Sequence, residues 1–466
     1  MKLKQQYVAA ALLMATALPT AAQRLNTAYF TEGYLYRHAM NPAFGNDSVT
    51  YVAIPALGNV NVKTMGNFGY QDIVRENPLY PNRSTKKMTT FLNPYIHDAL
   101  DGFSSGKNRI DADVNLTLFS GGFRAWGGYN TVGLNLRVKA DVNLPYELFD
   151  FARNASNRHY DIGDINVSAQ SFAELAFGHS RSIGDQWRVG GKMKLLFGLA
   201  RADASMKDVD IDIEGTDQWR VSANTEANVS IKGWQYKTKQ KDYEHRPGQY
   251  EYVNDVDIDS YGLSGFGLAF DLGAEYKLDD NWKFSASLLD LGFIHWSENH
   301  YAINEERDFL FDGFHDVSVV GNSGQAMDDQ ANEYADQIAD FMHLRDQGDT
   351  GGRTTGIGAT LNLAAEYKLP AYDKMRFGLL SSTHINGPYT WTEGRLSANW
   401  APLSWLDGGI SGAASTFGAS FGWLVNVHTT GFNFFVGMDH LVGKLSKEFI
   451  PLSSKASLSL GFNIMW

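Results

Sequence analysis

The chain has 466 residues, a formal charge of −12 and no cysteine. Disulfides, cysteine metal sites, cysteine nucleophiles and a lipid anchor on an amino-terminal cysteine are therefore excluded, and the acidic balance argues against a nucleic-acid partner. Beyond the first residues no stretch of about 18 consecutive apolar residues occurs, so no spanning helix is visible.

Lys2 and Lys4 precede an apolar run from Tyr7 to Leu18, and Thr20-Ala21-Ala22 follows Pro19. This is the pattern of a secretory signal peptide over residues 1–22, cut between Ala22 and Gln23. From residue 48 onward, apolar and polar residues alternate in long runs. Val132, Leu134, Leu136 and Val138 alternate with Gly133, Asn135, Arg137 and Lys139. Leu268, Phe270 and Leu272 oppose Asp271. Leu361, Leu363 and Ala365 oppose Thr360, Asn362 and Glu366. The chain closes on Leu458, Leu460, Phe462, Ile464 and Trp466 against Ser457, Ser459 and Asn463. Side chains of a strand point to opposite faces in turn, so each run has one apolar and one polar row. A soluble sandwich would show the same alternation. A bilayer-spanning barrel also demands strands of about nine to eleven residues, longer than the common strand.

The connections sort by parity. Short polar ones fall near 121–128, 182–186, 279–281, 370–374, 401–404 and 428–430. Between them lie long ones at 65–109, 142–162, 203–257, 298–352 and 440–453, with shorter exceptions at 386–390 and around Ala414–Ser415. Short periplasmic turns alternating with long outer loops are the habit of an outer-membrane barrel. Strands are expected near 48–64, 110–120, 129–141, 163–181, 186–202, 258–278, 281–297, 353–369, 374–385, 391–400, 405–413, 416–427, 430–439 and 455–466. The fold class is thus an all-β, transmembrane antiparallel β-barrel of fourteen strands. The alternating stretches 208–213 and 219–231 would make sixteen if they also crossed the membrane. Pro55 removes a ladder donor and weakens the first strand.

Three loop stretches carry helical spacing. Ala331, Tyr334, Ala335, Ile338, Phe341 and Met342 predict one helix, ended by Gly348 and Gly351-Gly352. Shorter helices are expected over 145–153 and 89–103. The acidic runs 208–212 and 255–259 place alternate carboxylates on one face; these could take Ca²⁺, and a solvated loop face explains them as well. No H-E-x-x-H or P-loop occurs, and neither an enzyme nor a cofactor is expected. A lipid-modifying Ser–His pair is the catalytic alternative. His179 and Ser180 are adjacent and so face opposite ways, while Ser382 and His384 share a face as any i, i+2 pair does.

Three segments resemble a family of bacterial outer-membrane barrels of no assigned function. They are Ala28-Tyr29-Phe30-Thr31-Glu32-Gly33-Tyr34 with Tyr36-Arg37-His38 and Asn41-Pro42-Ala43-Phe44; Ile54-Pro55-Ala56-Leu57-Gly58-Asn59-Val60; and Leu288-Leu289-Asp290-Leu291-Gly292-Phe293. That family is distantly similar to the FadL-type fatty-acid channels and to PorV-type secretion barrels. The resemblance implies an outer-membrane location and a division into a lumenal segment, residues 23–46, and a barrel, residues 47–466. Tyr34, Tyr36, Arg37, His38, Asn41 and Pro42 are then candidate plug residues. Asp290, Leu291 and Gly292 break the alternation of their strand, and a bulge there would keep Asp290 out of lipid. In FadL-type channels an irregular strand opens a side exit for apolar substrate. The expected partners are outer-membrane lipid and a small hydrophobic or amphiphilic molecule that the barrel binds or passes. The rival is a non-transport barrel with a secretion-system or surface protein partner.

Overall fold

A computed structural model describes residues 24–79, 88–215, 218–243, 246–304, 307–311, 337, 341, 343–440 and 455–466. The expected signal peptide, most of the helix expected at 331–342 and most of the 440–453 connection lie outside the described residues. Of that helix, Gln337 and Phe341 are described and are helical.

The wall consists of strands β1 (Tyr51–Ala53 and Val60–Gly66), β2 (Lys107–Ala125), β3 (Gly128–Pro145), β4 (His159–Ile183), β5 (Trp187–Glu214), β6 (Gly265–Lys277) and β7 (Trp282–Trp296). It continues through β8 (Arg353–Gly356 and Ala359–Lys368), β9 (Met375–Ile385), β10 (Trp391–Leu403), β11 (Leu406–Ser415), β12 (Gly418–Thr429), β13 (Gly431–Met438) and β14 (Ala456–Met465). Each pairs antiparallel with the next. Strand β14 returns to β1 through Tyr51↔Met465 and Val60↔Leu460, which closes a barrel of 14 strands. Closure leaves no unpaired edge, the condition for crossing hydrocarbon with strands.

Burial is inverted relative to a soluble domain. Arg137, Lys139, Asp113, Lys194, Asp271 and Arg395 are buried, whereas Leu272 is 58% exposed, Leu363 52%, Leu396 66% and Ile410 54%. The apolar row therefore covers the outside and the polar row lines the lumen. This excludes a sandwich, whose apolar rows would press together. Trp126, Trp187, Trp282, Trp400, Trp405 and Trp466 are exposed. All sit at the short-turn end, where an aromatic girdle meets the membrane surface. No described helix is long and apolar enough to cross a membrane.

The sixteen-strand alternative fails for a reason of height. Strand β6 pairs with β5 from Trp187 to Gly198. The strand Gln218–Ile231 takes over the same edge of β5 from Ala200 to Glu214. One edge thus serves two neighbours in succession, and the second lies above the membrane layer. There Gln218–Ile231 also pairs with His300–Asn304 and Asp308–Phe311, and Leu344–Asp349 joins them. Trp234–Tyr243 and Arg246–Ile258 form a separate hairpin.

Other expectations are corrected. Residues 258–264 do not belong to β6. Gly121 and Gly122 lie within β2, and its turn contracts to Trp126-Gly127, both with positive φ of 55° and 72°, as a two-residue hairpin requires. A helix does form at Tyr146–Asn154, but residues 89–103 make turns after a short strand, Met88–Thr90. Gly348 and Gly351-Gly352 end a strand, Leu344–Asp349, rather than a helix. The weak first strand is interrupted over 54–59. Leu57 O still accepts from Phe462 N at 2.9 Å, so β14 remains attached across the gap.

Candidate functional site

The lumen is occupied from the short-turn end by residues 24–46. Apart from the 3-10 turns Asn26–Ala28 and Leu35–Ala39 this segment is irregular, so its backbone groups find partners on the barrel wall. Asp439 accepts from Asn26 N (2.8 Å) and from Thr27 N and Oγ1 (2.7 Å each). Asp407 accepts from Gly33 N at 3.0 Å, and Met40 O accepts from Ser287 Oγ and Asn362 Nδ2. Leu25, Tyr29, Phe30, Tyr34, Leu35 and Tyr36 form an apolar core with Leu380, Leu424 and Phe435 of the wall.

Each candidate plug residue has a definite place. Tyr34 meets Phe435 edge-on, with centroids 4.8 Å apart. Tyr36 donates its hydroxyl to Asn463 Oδ1 at 2.7 Å. Arg37 donates to Tyr29 O and lies over the Phe44 ring, 4.2 Å from its centre. His38 Nε2 is 2.9 Å from the Tyr51 hydroxyl, while Lys192 donates to His38 O at 3.1 Å. Asn41 Oδ1 accepts from Ala43 N, an Asx turn, and Asn41 Nδ2 donates to the carbonyls of Ala274 and Ala286 on β6 and β7. Pro42 lies against Gly190 of β5, where an added Cβ would stand 2.3 Å from Pro42 O. The absent side chain is what seats the Asn-Pro-Ala turn.

At the short-turn mouth Arg376 grips Glu32 through two nitrogens at 2.5 and 2.7 Å, and Lys283 adds a third contact at 3.2 Å. Burial opposes the Glu32 charge, but Lys283 and Arg376 outweigh it and hold the carboxyl at about 2.

Above the plug lies a layer of charge centred on the β7 irregularity. Leu289 and Asp290 are both buried, Leu291 is 52% exposed, and Asp290 has φ 58°. The register against β6 shifts here, so the extra residue forms a bulge. Asp290 Oδ1 accepts from Arg137 at 2.9 Å and Lys194 at 2.5 Å, and its Oδ2 from Arg24 at 3.0 Å. Asp271 and Glu174 complete a balanced set of three carboxylates and three cations. The sequence marked Asp290 by its broken alternation. It gave no sign of Arg24, Glu174 or Lys194 as partners, because these come from the plug and from strands far along the chain, nor of Asp271, whose place beside the bulge depends on the register shift between β6 and β7.

The same bulge borders a discontinuity in the wall. Strands β7 and β8 pair at Phe293↔Gly356 and at Leu289↔Thr360, but regular pairing lapses between. Gly358 has φ 83°, and Lys139 donates to Ile357 O across the lumen at 3.0 Å. Phe172, Leu196, Ala269, Ile294, Trp296 and Ile357, all fully buried, pack together beside this lapse. Here the lumenal row turns apolar just past the charged layer.

The suggested Ser–His pairs find other partners. His179 Nδ1 is 2.9 Å from Asn130 Oδ1, and His384 Nδ1 is 3.2 Å from Thr360 Oγ1. In the acidic runs, Asp210 and Asp212 flank His159, whose bond to Asp212 raises its imidazole above the ordinary value, and Asp257 pairs with Lys237. No group of three or more His, Asp or Glu side chains among the described residues is arranged to hold a metal ion.

Among solved structures, a monoaromatic hydrocarbon channel, the TodX deltaS2S3 mutant, aligns over 97% of this chain and 96% of its own at 8% identity, with a TM-score of 0.39. The Ralstonia pickettii toluene transporter TbuX aligns over 92% of each chain at 10% identity and 0.30. The translocator domain of the autotransporter NalP from Neisseria meningitidis aligns over 99% and 98% at 8% identity and 0.31. No curated protein matches the sequence. The family model described as "Family of unknown function (DUF5723)" matches residues 42–439, and the chain, a barrel whose lumen holds its own amino-terminal segment, belongs to that family.

Proposed function

We propose that this outer-membrane barrel binds and passes a small amphiphilic molecule, which enters from the outer side and leaves sideways between β7 and β8. The observation that carries this reading is the lapse in pairing at 290–292 and 357–359, backed by the Phe172–Trp296–Ile357 cluster. An apolar tail would find like surface there, while a polar head would meet Arg137 and Lys194 at the edge of the charged layer. Exit along the axis is opposed by the plug and by the polar rows, since an apolar molecule would displace hydrogen-bonded side chains without replacing their bonds. A role without chemistry at the barrel fits the separate partners of the His–Ser candidates. The test is uptake of labelled oleate by proteoliposomes. Uptake above that of empty liposomes, reduced by Ile357→Asp, supports the reading. No uptake, together with no lipid retained on purification in mild detergent, contradicts it.

A surface-assembly role is the second reading, and one observation favours it. Strands β4 and β5 run 25 and 28 residues, where about eleven suffice for the bilayer. The surplus supports a sheet standing outside the membrane, with the Trp234–Ile258 hairpin as a contact surface. Deleting that hairpin should then abolish a protein partnership and leave uptake intact.

A further inference from the structure

Between the plug and strands β1 to β5 lies a cavity of about 70 Å³. On one side it is bounded by Asn61, Asp113 and Asn115, and on the other by Lys192 together with plug residues that include Tyr34 and His38. Asn61 pairs with Asn115 across the β1–β2 ladder, and Asp113 stands two residues from Asn115 on the same face, so the three side chains form one patch. Asp113 is 2% exposed and Asn61 1%. Both carboxylate oxygens of Asp113 and the side-chain oxygens of Asn61 and Asn115 are buried with no hydrogen-bond partner among the described residues. That is four acceptors that no hydrogen bond fills, while the Asn61 amide nitrogen is already engaged with Asn59 Oδ1 at 2.6 Å. Lys63, opposite Asp113, does not line the cavity; its Nζ lies 5.4 Å from the centre of the Trp391 ring. Across the cavity Lys192 has no carboxylate within ion-pair distance among the described residues. Its Nζ is held by His38 O at 3.1 Å.

A buried carboxylate without donors costs several kcal/mol unless something supplies them. The chamber, which Arg24, Arg137, Glu174 and Lys194 of the charged layer also line, thus offers unfilled acceptors at one wall and a cation without a direct ion pair at the other. The geometry points to a binding site for a small zwitterion, its ammonium on Asp113, Asn61 and Asn115 and its carboxylate on Lys192. At about 10–15 Å³ of such volume per water-sized atom, the space takes a solute of about five to seven non-hydrogen atoms. That is the size of glycine or alanine. The site does not depend on sideways passage, and a volume of about 70 Å³ is too small for an acyl chain.

Calorimetric titration of the mature full-length protein in detergent tests it, with glycine, acetate and methylammonium as separate probes. Saturable glycine binding is expected, at least about tenfold tighter than either single-charge probe. Asp113→Asn and Lys192→Met should each weaken it about tenfold, with heat-modifiable gel mobility reporting that both variants remain folded. Glycine binding no tighter than acetate or methylammonium overturns the site, as does binding unchanged in both folded variants. No saturable heat with glycine makes the chamber a water pocket and also overturns it. Because the readout is binding with the plug in place, it is separate from oleate uptake, and either result can fail alone.

Discussion

At the scale of single residues, the lumen is held by a few charges that cannot be removed singly. Asp290 faces Arg24, Arg137 and Lys194 at once. Asp290→Ala leaves those cations short of a partner and should destabilise the barrel by about 3–5 kcal/mol, the usual cost of breaking a buried pair from one side. Urea unfolding in detergent measures it. Asp290→Asn, which keeps the shape, should cost less than the alanine. The Glu32 latch sets a pH dependence. Its carboxyl is depressed from 4.5 to about 2, so its contribution is complete above 4.5 and is lost as pH falls through about 2. Glu32→Gln should bring to neutral pH the loosening that the native protein shows only near that value, read as increased conductance in planar bilayers. A native protein whose conductance rises already above pH 4.5 would separate the latch from plug retention.

At the scale of elements, the plug and the wall were cut to each other. Gly190→Val places a side chain where Pro42 O now lies, and Gly378→Val does the same against the Phe30 ring, 2.2 Å from an added Cβ. Either change should cost about 1–3 kcal/mol by overpacking. The segment should yield before the closed barrel does, so protease cleavage within residues 24–46 is expected while gel mobility stays that of a folded barrel. How far such elements can be read from sequence depends on what fixes them. Wall strands are legible because one face meets lipid and the other a polar lumen, which imprints a period of two on residues such as Leu361 to Ala365. The Asp290 bulge is legible for the same reason, as a fault in that period. The outer strand Gln218–Ile231 alternates just as well, but alternation carries no information about height along β5, so fourteen and sixteen strands looked alike. Plug contacts such as Thr27 with Asp439 join residues more than 400 positions apart. No local pattern encodes such a pair, and none encodes the Asp113 patch, whose meaning comes only from the Lys192 that faces it.

At the scale of the whole molecule, everything rests on orientation: the apolar row of each wall strand faces hydrocarbon and the polar row encloses a lumen filled by the chain's own beginning. The chain carries no cysteine, so single cysteines can be introduced one at a time and spin-labelled in liposomes. Labels at Leu272, Leu363, Leu396 and Ile410 should be quenched by oxygen, which concentrates in lipid, and shielded from a water-soluble nickel reagent. Labels at the inward positions Asn362 and Ser397 should show neither the lipid signature nor free exchange with bulk water. Nickel accessibility at the four outward positions, or oxygen accessibility at the inward two, would contradict the account.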